Sequence, residues 1–222
     1  MRGTVACYPP VWRGEQTRGG DQAPTRADRL RTVMITEAVA TMLGASALLY
    51  GDRRGVLCDP YYPNYEPLQA EEAAAALQWH RFALRQRDLF IDGEDTSWCD
   101  VGDENGAIAV AADAPVTPEP VGGAVFVRVV RSEHSVGVAA LDLTGSQRGS
   151  WAEPTAPGRV GSLVVDALLP QGTEWRAEAA SVGSRHGRFS PLAVRSAQSK
   201  QGLVVRVELD MTTGWSVALF RR

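Results

Sequence analysis

The chain has 222 residues, 44% apolar and 22% charged, an ordinary balance for a globular protein of one large domain or two smaller ones. Its formal charge of −3 gives no electrostatic case for a nucleic-acid partner, and Lys200 is the only lysine among 23 basic residues. The three cysteines, Cys7, Cys58 and Cys99, stand far apart, without a second cysteine or a histidine at ligand spacing. No disulfide framework, metal site or cofactor is therefore expected. No apolar run is long enough to span a membrane, so no membrane partner is expected, and "RGTVACYPP" after Met1 is not a secretory signal.

In chain order, "TVACY" (Thr4 to Tyr8) reads as a short strand stopped by Pro9 and Pro10. A polar, Gly-rich stretch runs to Pro24. Thr25 with Asp28 three residues on forms a variant capping box, and Leu30, Val33, Met34, Ala38, Val39, Met42 and Leu43 recur at helical spacing up to a stop at Gly44. "SALLY" (Ser46 to Tyr50) reads as a second buried strand. "GVLCDPYYPNYEPL" (Gly55 to Leu68) then gathers three of the five tyrosines and three prolines. Gln69 to Phe90 predicts a long helix with Ala73, Ala76, Leu77, His80, Ala83 and Leu84 along one face.

This β-α-β-α order implies parallel strands joined by a crossover helix. Two strands and two helices cannot cover both faces and both edges of a parallel pair, so they read as pieces of something larger. The helix-to-strand connection at Gly44 and Ala45 is minimal, while the strand-to-helix connections, Pro9 to Pro24 and Gly51 to Leu68, are long. A (β/α)8 barrel has that asymmetry, with its active site on the long loops.

Beyond about Asp100 the texture changes. Runs with strand character occur at "AIAVAA", "AVFVRVV", "SVGVAALDL", "SLVVDALL", "WRAEAASV", "PLAVRSA", "LVVRVEL" and "WSVALF", separated by turn-rich pieces such as "APVTPEPVGG" and "PTAPGRVG". Many short strands at such spacing predict an antiparallel β-sandwich. The expected organisation is two β/α units in residues 1–91, a linker over 92–105, and the sandwich over 106–222.

The tyrosine segment has a plain reading, a stiff loop packed on the helix that follows. It also has a functional one. An aromatic ring stacks on the apolar face of a pyranose, hydroxyl and amide groups bond sugar hydroxyls, and Asp52 and Asp59 add acceptors. Prolines fix such a loop before the sugar arrives and so lower the entropic cost of binding. His80 reads as a packed or hydrogen-bonded histidine rather than a ligand. "SRHGRFSP" around His186 reads as a loop between strands. Asp92, Glu94 and Asp95 read as solvated linker, and "DVGDENG" lacks the alternation of a calcium loop. No P-loop, dinucleotide fingerprint or nucleophile elbow occurs.

"SALLYGDRRGVLCDPYYPNYEPL", followed by a helix with "WHRFALRQRDLF", resembles the family of dextranases and cycloisomaltooligosaccharide glucanotransferases, glycoside hydrolase family sixty-six. There the last barrel strand leads through a Gly-acid turn into a "YFPN"-like segment and a helix. "TVACY" resembles the preceding barrel strand, and "GLVVRVELDMTTGWSVALFRR" the closing hairpin of the C-terminal β-domain. The resemblance implies the last two β/α units of a (β/α)8 barrel followed by an antiparallel β-sandwich. It also implies a retaining enzyme on α-1,6-glucan with an aspartate nucleophile and a glutamate acid/base. No position here matches that pair, so the chain alone is expected to be inactive and to depend on the remaining barrel portion as a partner. Only binding roles carry over, onto Asp52, Tyr61, Tyr62 and Asn64, with an α-glucan or another oligosaccharide as ligand. Family members are often secreted. The chain departs from the pattern at Pro9 and Pro10, where the family often has an asparagine, and at Leu49, where it often has an acid. A non-catalytic carbohydrate-binding or interaction module is the alternative reading.

Overall fold

In a computed structural model of the chain, the described residues are 25–45, 55–57, 65–92, 94–95, 108–146, 157–171 and 174–222. The expected strands "TVACY" and "SALLY" lie outside them. Helix α1 spans Arg26–Met42, as its start signal predicts. The Thr25 hydroxyl accepts the Asp28 N–H at 3.1 Å, and the Asp28 carboxylate accepts the Thr25 N–H at 3.0 Å. Together these satisfy donors that a helix start leaves open. The helix stops where Gly44 takes φ +70°, the left-handed conformation open to glycine.

Two three-residue strands, β1 (Gly55–Leu57) and β2 (Tyr65–Pro67), pair antiparallel with Leu57 opposite Tyr65 and Gly55 opposite Pro67. Helix α2 spans Ala70–Asp92. It lies beside α1 and runs parallel to it, because contacts occur in the same order along both. Arg26 meets Glu72, Glu37 meets His80, and Gly44 lies against the Phe90 carbonyl. Neighbouring parallel helices require the chain to travel back along their length between them.

The face buried by α2 differs from the expected one. Ala76 and Ala83 are buried as expected, but Leu77 and Leu84 stay 46% and 53% exposed, while Phe82, Gln86 and Phe90 are buried instead. The larger rings at Trp79, Phe82 and Phe90 decide the register, because they bring more apolar area than the leucines.

The eight β-rich runs become strands in two sheets. Short strand β3 (Glu94–Asp95) is followed by β4 (Ile108–Ala112), β5 (Val116–Thr117), β6 (Val125–Arg131), β7 (Ser135–Asp142) and β8 (Ser162–Leu169). Then come β9 (Arg176–Ser181), β10 (Ser190–Pro191), β11 (Arg195–Gln198), β12 (Leu203–Asp210) and β13 (Trp215–Arg221). One sheet has the order β10-β9-β13-β7-β6-β3, with β5 also on β6, and the other the order β11-β12-β8-β4. All pairings are antiparallel except β5 with β6.

Three details depart from the sequence reading. Glu94 and Asp95 pair with Arg131 and Val130 at the sheet edge instead of forming free linker. The turn-like "APVTPEP" contains β5, confined to two residues between Pro115 and Pro118. "PLAVRSA" is not one strand: β10 belongs to one sheet and β11 to the other. Pro191 has no N–H to extend the first pairing, and the chain crosses over after it.

The two sheets face each other across one apolar core, as a sandwich does. Val127, Val129, Val138 and Phe220 of the larger sheet meet Leu163, Val165, Val207 and Leu209 of the smaller. The smaller sheet alternates buried and exposed residues along β8 and β12, with solvent on its outer side. The larger sheet does not. β7 and β13 are buried at almost every residue, because their second face meets the helices. There Phe126, Leu141, Ala180, Trp215 and Val217 pack against Ile35, Ala38, Val39 and Met42 of α1 and Phe82, Ala83 and Phe90 of α2. The molecule therefore has three layers: helices, a doubly buried sheet, and an outer sheet.

Trp215 is fully buried at the centre of the helix–sheet layer. Phe82 meets it edge-on with centroids 4.8 Å apart, and Trp79 lies at 5.9 Å. Its indole N–H has no acceptor among the described residues. Trp215→Ala should therefore cost about 3–5 kcal/mol in urea unfolding and lower the helical circular dichroism in the same transition. Trp215→Phe should cost far less, because it keeps an aromatic ring and removes the unsatisfied donor. Equal losses for both would show that the ring contacts do not hold the layers together.

Candidate functional site

Asp52, Tyr61, Tyr62 and Asn64 all lie outside the described residues, as does Asp59. What the structure places is the frame around them. The ladder between β1 and β2 brings Leu57 and Tyr65 opposite each other at one end of an antiparallel pair. The other end of that pair, at Pro67, feeds almost directly into α2.

A single guanidinium holds that junction. Arg26, the first residue of α1, donates from Nε to Glu72 Oε1 at 2.5 Å and from Nη2 to Glu72 Oε2 at 2.9 Å. Nη2 also donates to the Pro67 carbonyl at 2.6 Å. Glu72 Oε2 in turn accepts the Gln69 N–H at 2.7 Å, so Gln69 and Glu72 cap the start of α2. Leu68, between Pro67 and Gln69, packs on Leu30, Val33, Met34 and Ala76, the apolar seam between the helices. Arg26 was not singled out from the sequence, since its partner is 46 residues away. Glu72 was legible in principle as the fourth residue of a Gln-x-x-Glu capping pattern.

The Arg26 hydrogen bond holds the Glu72 carboxyl below its usual range, against the opposing effect of burial, and the Gln69 N–H adds to the lowering. Asp210 is also lowered, by the Thr212 hydroxyl and N–H at the turn between β12 and β13.

Other sequence candidates resolve into structural roles. His80 Nδ1 is bonded to Glu37 Oε1 across the helix pair at 2.5 Å, the packed and hydrogen-bonded role expected for it. Glu37 and Asp142 are the buried acids among the described residues, and both are engaged. Asp142 accepts the Thr144 N–H and hydroxyl at 2.9 and 2.6 Å and the Val160 N–H at 2.9 Å, fastening the return from β7 toward β8. The segment around His186 is a loop between β9 and β10, as expected, with a 3-10 turn at Arg185–Gly187. It docks on α2, where Gln78 donates to the Val182 carbonyl and Gln86 to the Gly187 carbonyl. No group of three or more His, Cys, Asp or Glu residues suited to a metal occurs among the described residues. No described helix is long and apolar enough to cross a membrane.

No family model matches the chain, and no curated protein matches it. A solved structure does. A cycloisomaltooligosaccharide glucanotransferase from Paenibacillus sp., complexed with cycloisomaltoheptaose, superposes with a TM-score of 0.68 at 19% identity. The match covers 85% of this chain and 27% of that one, so the chain spans little more than a quarter of the enzyme it resembles. A glycoside hydrolase family 30 subfamily 8 xylanase from Clostridium acetobutylicum aligns over 87% of this chain and 39% of its own, at 11% identity and a TM-score of 0.33, too low to carry weight. At these identities the glucanotransferase likeness establishes a shared fold: this β-rich chain has the architecture of part of a glucan-acting enzyme.

The depressed Glu72 gives a pH signature. A carboxyl lowered by folding stabilises the fold above its ordinary range, about pH 4.3, and loses that contribution as pH falls through the lower folded value. Arg26 is 39% and Glu72 18% exposed, so the pair belongs near the top of the surface range, about 1 kcal/mol. Urea unfolding of wild type and Arg26→Gln should differ by about that much at pH 7 and converge as pH falls through the lowered Glu72 value. A difference that persists unchanged at low pH would mean the Arg26–Glu72 charges are not its source.

Proposed function

We propose that this chain is the C-terminal part of a glycoside hydrolase of the dextranase and cycloisomaltooligosaccharide glucanotransferase family. In this reading it supplies two β/α units of the barrel, a sugar-binding rim and a β-sandwich. The reacting carboxylates belong to residues outside it, so the chain binds α-1,6-glucan and leaves bond cleavage to the rest of the barrel. The remaining barrel portion is its partner.

The observation that carries this reading is the parallel packing of α1 and α2 on a β-sandwich, in a fold shared with a glucanotransferase at a TM-score of 0.68. Two parallel neighbours demand a return path between them. The 17 residues of α1 rise about 25 Å, which about eight extended residues retrace. The segment from Ala45 toward β1 has that length and contains the apolar "SALLY". A helix, a strand and a second parallel helix are what successive barrel units need.

The rim role falls to the segment closed by β1 and β2. Tyr61 and Tyr62 offer faces for the apolar side of a glucose ring, while Asn64 and Asp52 offer groups for its hydroxyls. Pro60 and Pro63 stiffen the connection, which reduces the ordering cost on binding.

Purified chain should be retarded by dextran in affinity electrophoresis without releasing oligosaccharides from it. Tyr61→Ala with Tyr62→Ala should weaken retention about tenfold, the loss of stacking worth about 1.4 kcal/mol, while helical content stays constant. Enzyme-like turnover by the chain alone would contradict the placement of the acids outside it. Undiminished retention in the double variant would remove the tyrosines from the site. Retention without turnover by the chain even when joined to the remaining barrel portion would favour a non-catalytic binding module.

A further inference from the structure

We infer that Arg81 and Arg85 of α2, with Arg185 and Arg188 of the loop docked on it, form a binding patch for an anionic polysaccharide. The choice of a polysaccharide rests on the glucan reading above. The charge of the patch does not, and the tyrosine segment takes no part in it.

Two local geometries set the arginines in pairs. Residues four apart on an α-helix share a face, so Arg81 and Arg85 stand side by side on α2. Side chains three apart around a 3-10 turn eclipse, and Arg185 and Arg188 have that spacing at the turn Arg185–Gly187, where the Arg188 N–H donates to the Arg185 carbonyl. Arg188 is extended, with φ −84° and ψ 146°, and Phe189 beside it packs on the helix–sheet core, so Arg188 turns outward.

One contact joins the pairs. Gly187 is buried against α2, and a Cβ there would lie 3.1 Å from Phe82 Cδ2 and 3.4 Å from Arg85 Cδ. The Arg85 stem therefore lies over the short stretch of backbone that carries Arg185 and Arg188. Gln78 and Gln86, bonded to the Val182 and Gly187 carbonyls, hold the loop there.

The fold itself gains nothing from this concentration of charge. Like charges four apart on a helix repel, and the docked loop adds two more. All four arginines are exposed, and none makes an ion pair or a side-chain hydrogen bond among the described residues. Even Asp88, three residues beyond Arg85, pairs with neither arginine of α2. An anion lying across the patch removes the repulsion, and each guanidinium offers a planar fork to carboxylate, sulfate or phosphate oxygens. Two pairs on separate elements fit the repeated groups of a polymer rather than one small ion. Phe82 and Phe189 are turned into the helix–sheet core, so the patch lacks a platform on which nucleic-acid bases stack.

The test follows binding of the whole chain to labelled dextran sulfate by fluorescence anisotropy, with duplex DNA as a second polyanion. Replacing all four arginines by Gln should weaken binding about tenfold, and Arg81→Gln with Arg85→Gln, or Arg185→Gln with Arg188→Gln, about threefold each. The two double variants decide the matter should the fourfold one not fold. A control with Arg87→Gln, Arg159→Gln, Arg176→Gln and Arg195→Gln loses the same charge from exposed positions elsewhere and should stay within about twofold of wild type. Equal losses in patch and control variants would mean that diffuse charge does the binding, which overturns the inference. So would absence of wild-type binding to dextran sulfate, or duplex DNA bound as tightly. Retention by neutral dextran, read separately, should be unchanged in the patch variants, so failure of the tyrosine rim alone is distinguishable from failure of the patch.

Discussion

A sheet that is apolar on both faces cannot stand at the surface of a protein, and this constraint organises the whole chain. β7 and β13 lie side by side at the centre of the larger sheet and have almost no exposed residue. One face is covered by the smaller sheet, which completes a sandwich. The other needs a cover of its own, and α1 and α2 supply it, with Phe82 and Trp79 closing on Trp215. Gly137 shows how closely the layers approach. A Cβ there would lie 2.8 Å from Leu89 of α2, so the missing side chain on β7 is the room that the leucine occupies. Because the helices are held on the sandwich, the junction between them is held too.

That junction follows from how the helices pack. The parallel helices bring Arg26 and Glu72 together at the end where the β1–β2 pair enters α2. The start of α2 therefore depends on contacts made far from it in sequence, by a helix that also covers the sheet.

Much of this was legible in local sequence, and the reasons are physical. Thr25 with Asp28 and the later Gly44 carry their own hydrogen-bond and φ requirements, so α1 was bounded by chemistry readable within a few residues. The β-rich runs were legible because β-branched and small apolar residues cluster in them between Pro- and Gly-rich turns. What could not be read were choices made between distant segments. "SVGVAALD" shows that a strand is apolar throughout but not which layer covers its second face. Leu77 and Leu84 compete with Phe82 and Phe90 for the buried side of α2, and only the shape of the facing sheet decides. The split at Pro191 depends on which sheet each half can reach. The Arg26 clamp spans 46 residues, and no local pattern announces it. The four residues expected to touch sugar lie outside the described residues, so the frame around them is what the structure contributes.

The dependence of the sheet on its helical cover can be measured directly by preparing residues 106–222 alone and comparing them with the whole chain. Without α1 and α2, Phe126, Leu141, Trp215 and Val217 would face water. The shortened chain should then self-associate, bind a hydrophobic dye strongly and unfold at a markedly lower urea concentration than the 222-residue protein. A monomeric 106–222 that ignores the dye and unfolds at the same midpoint would mean that the helices are passengers on a self-sufficient sandwich.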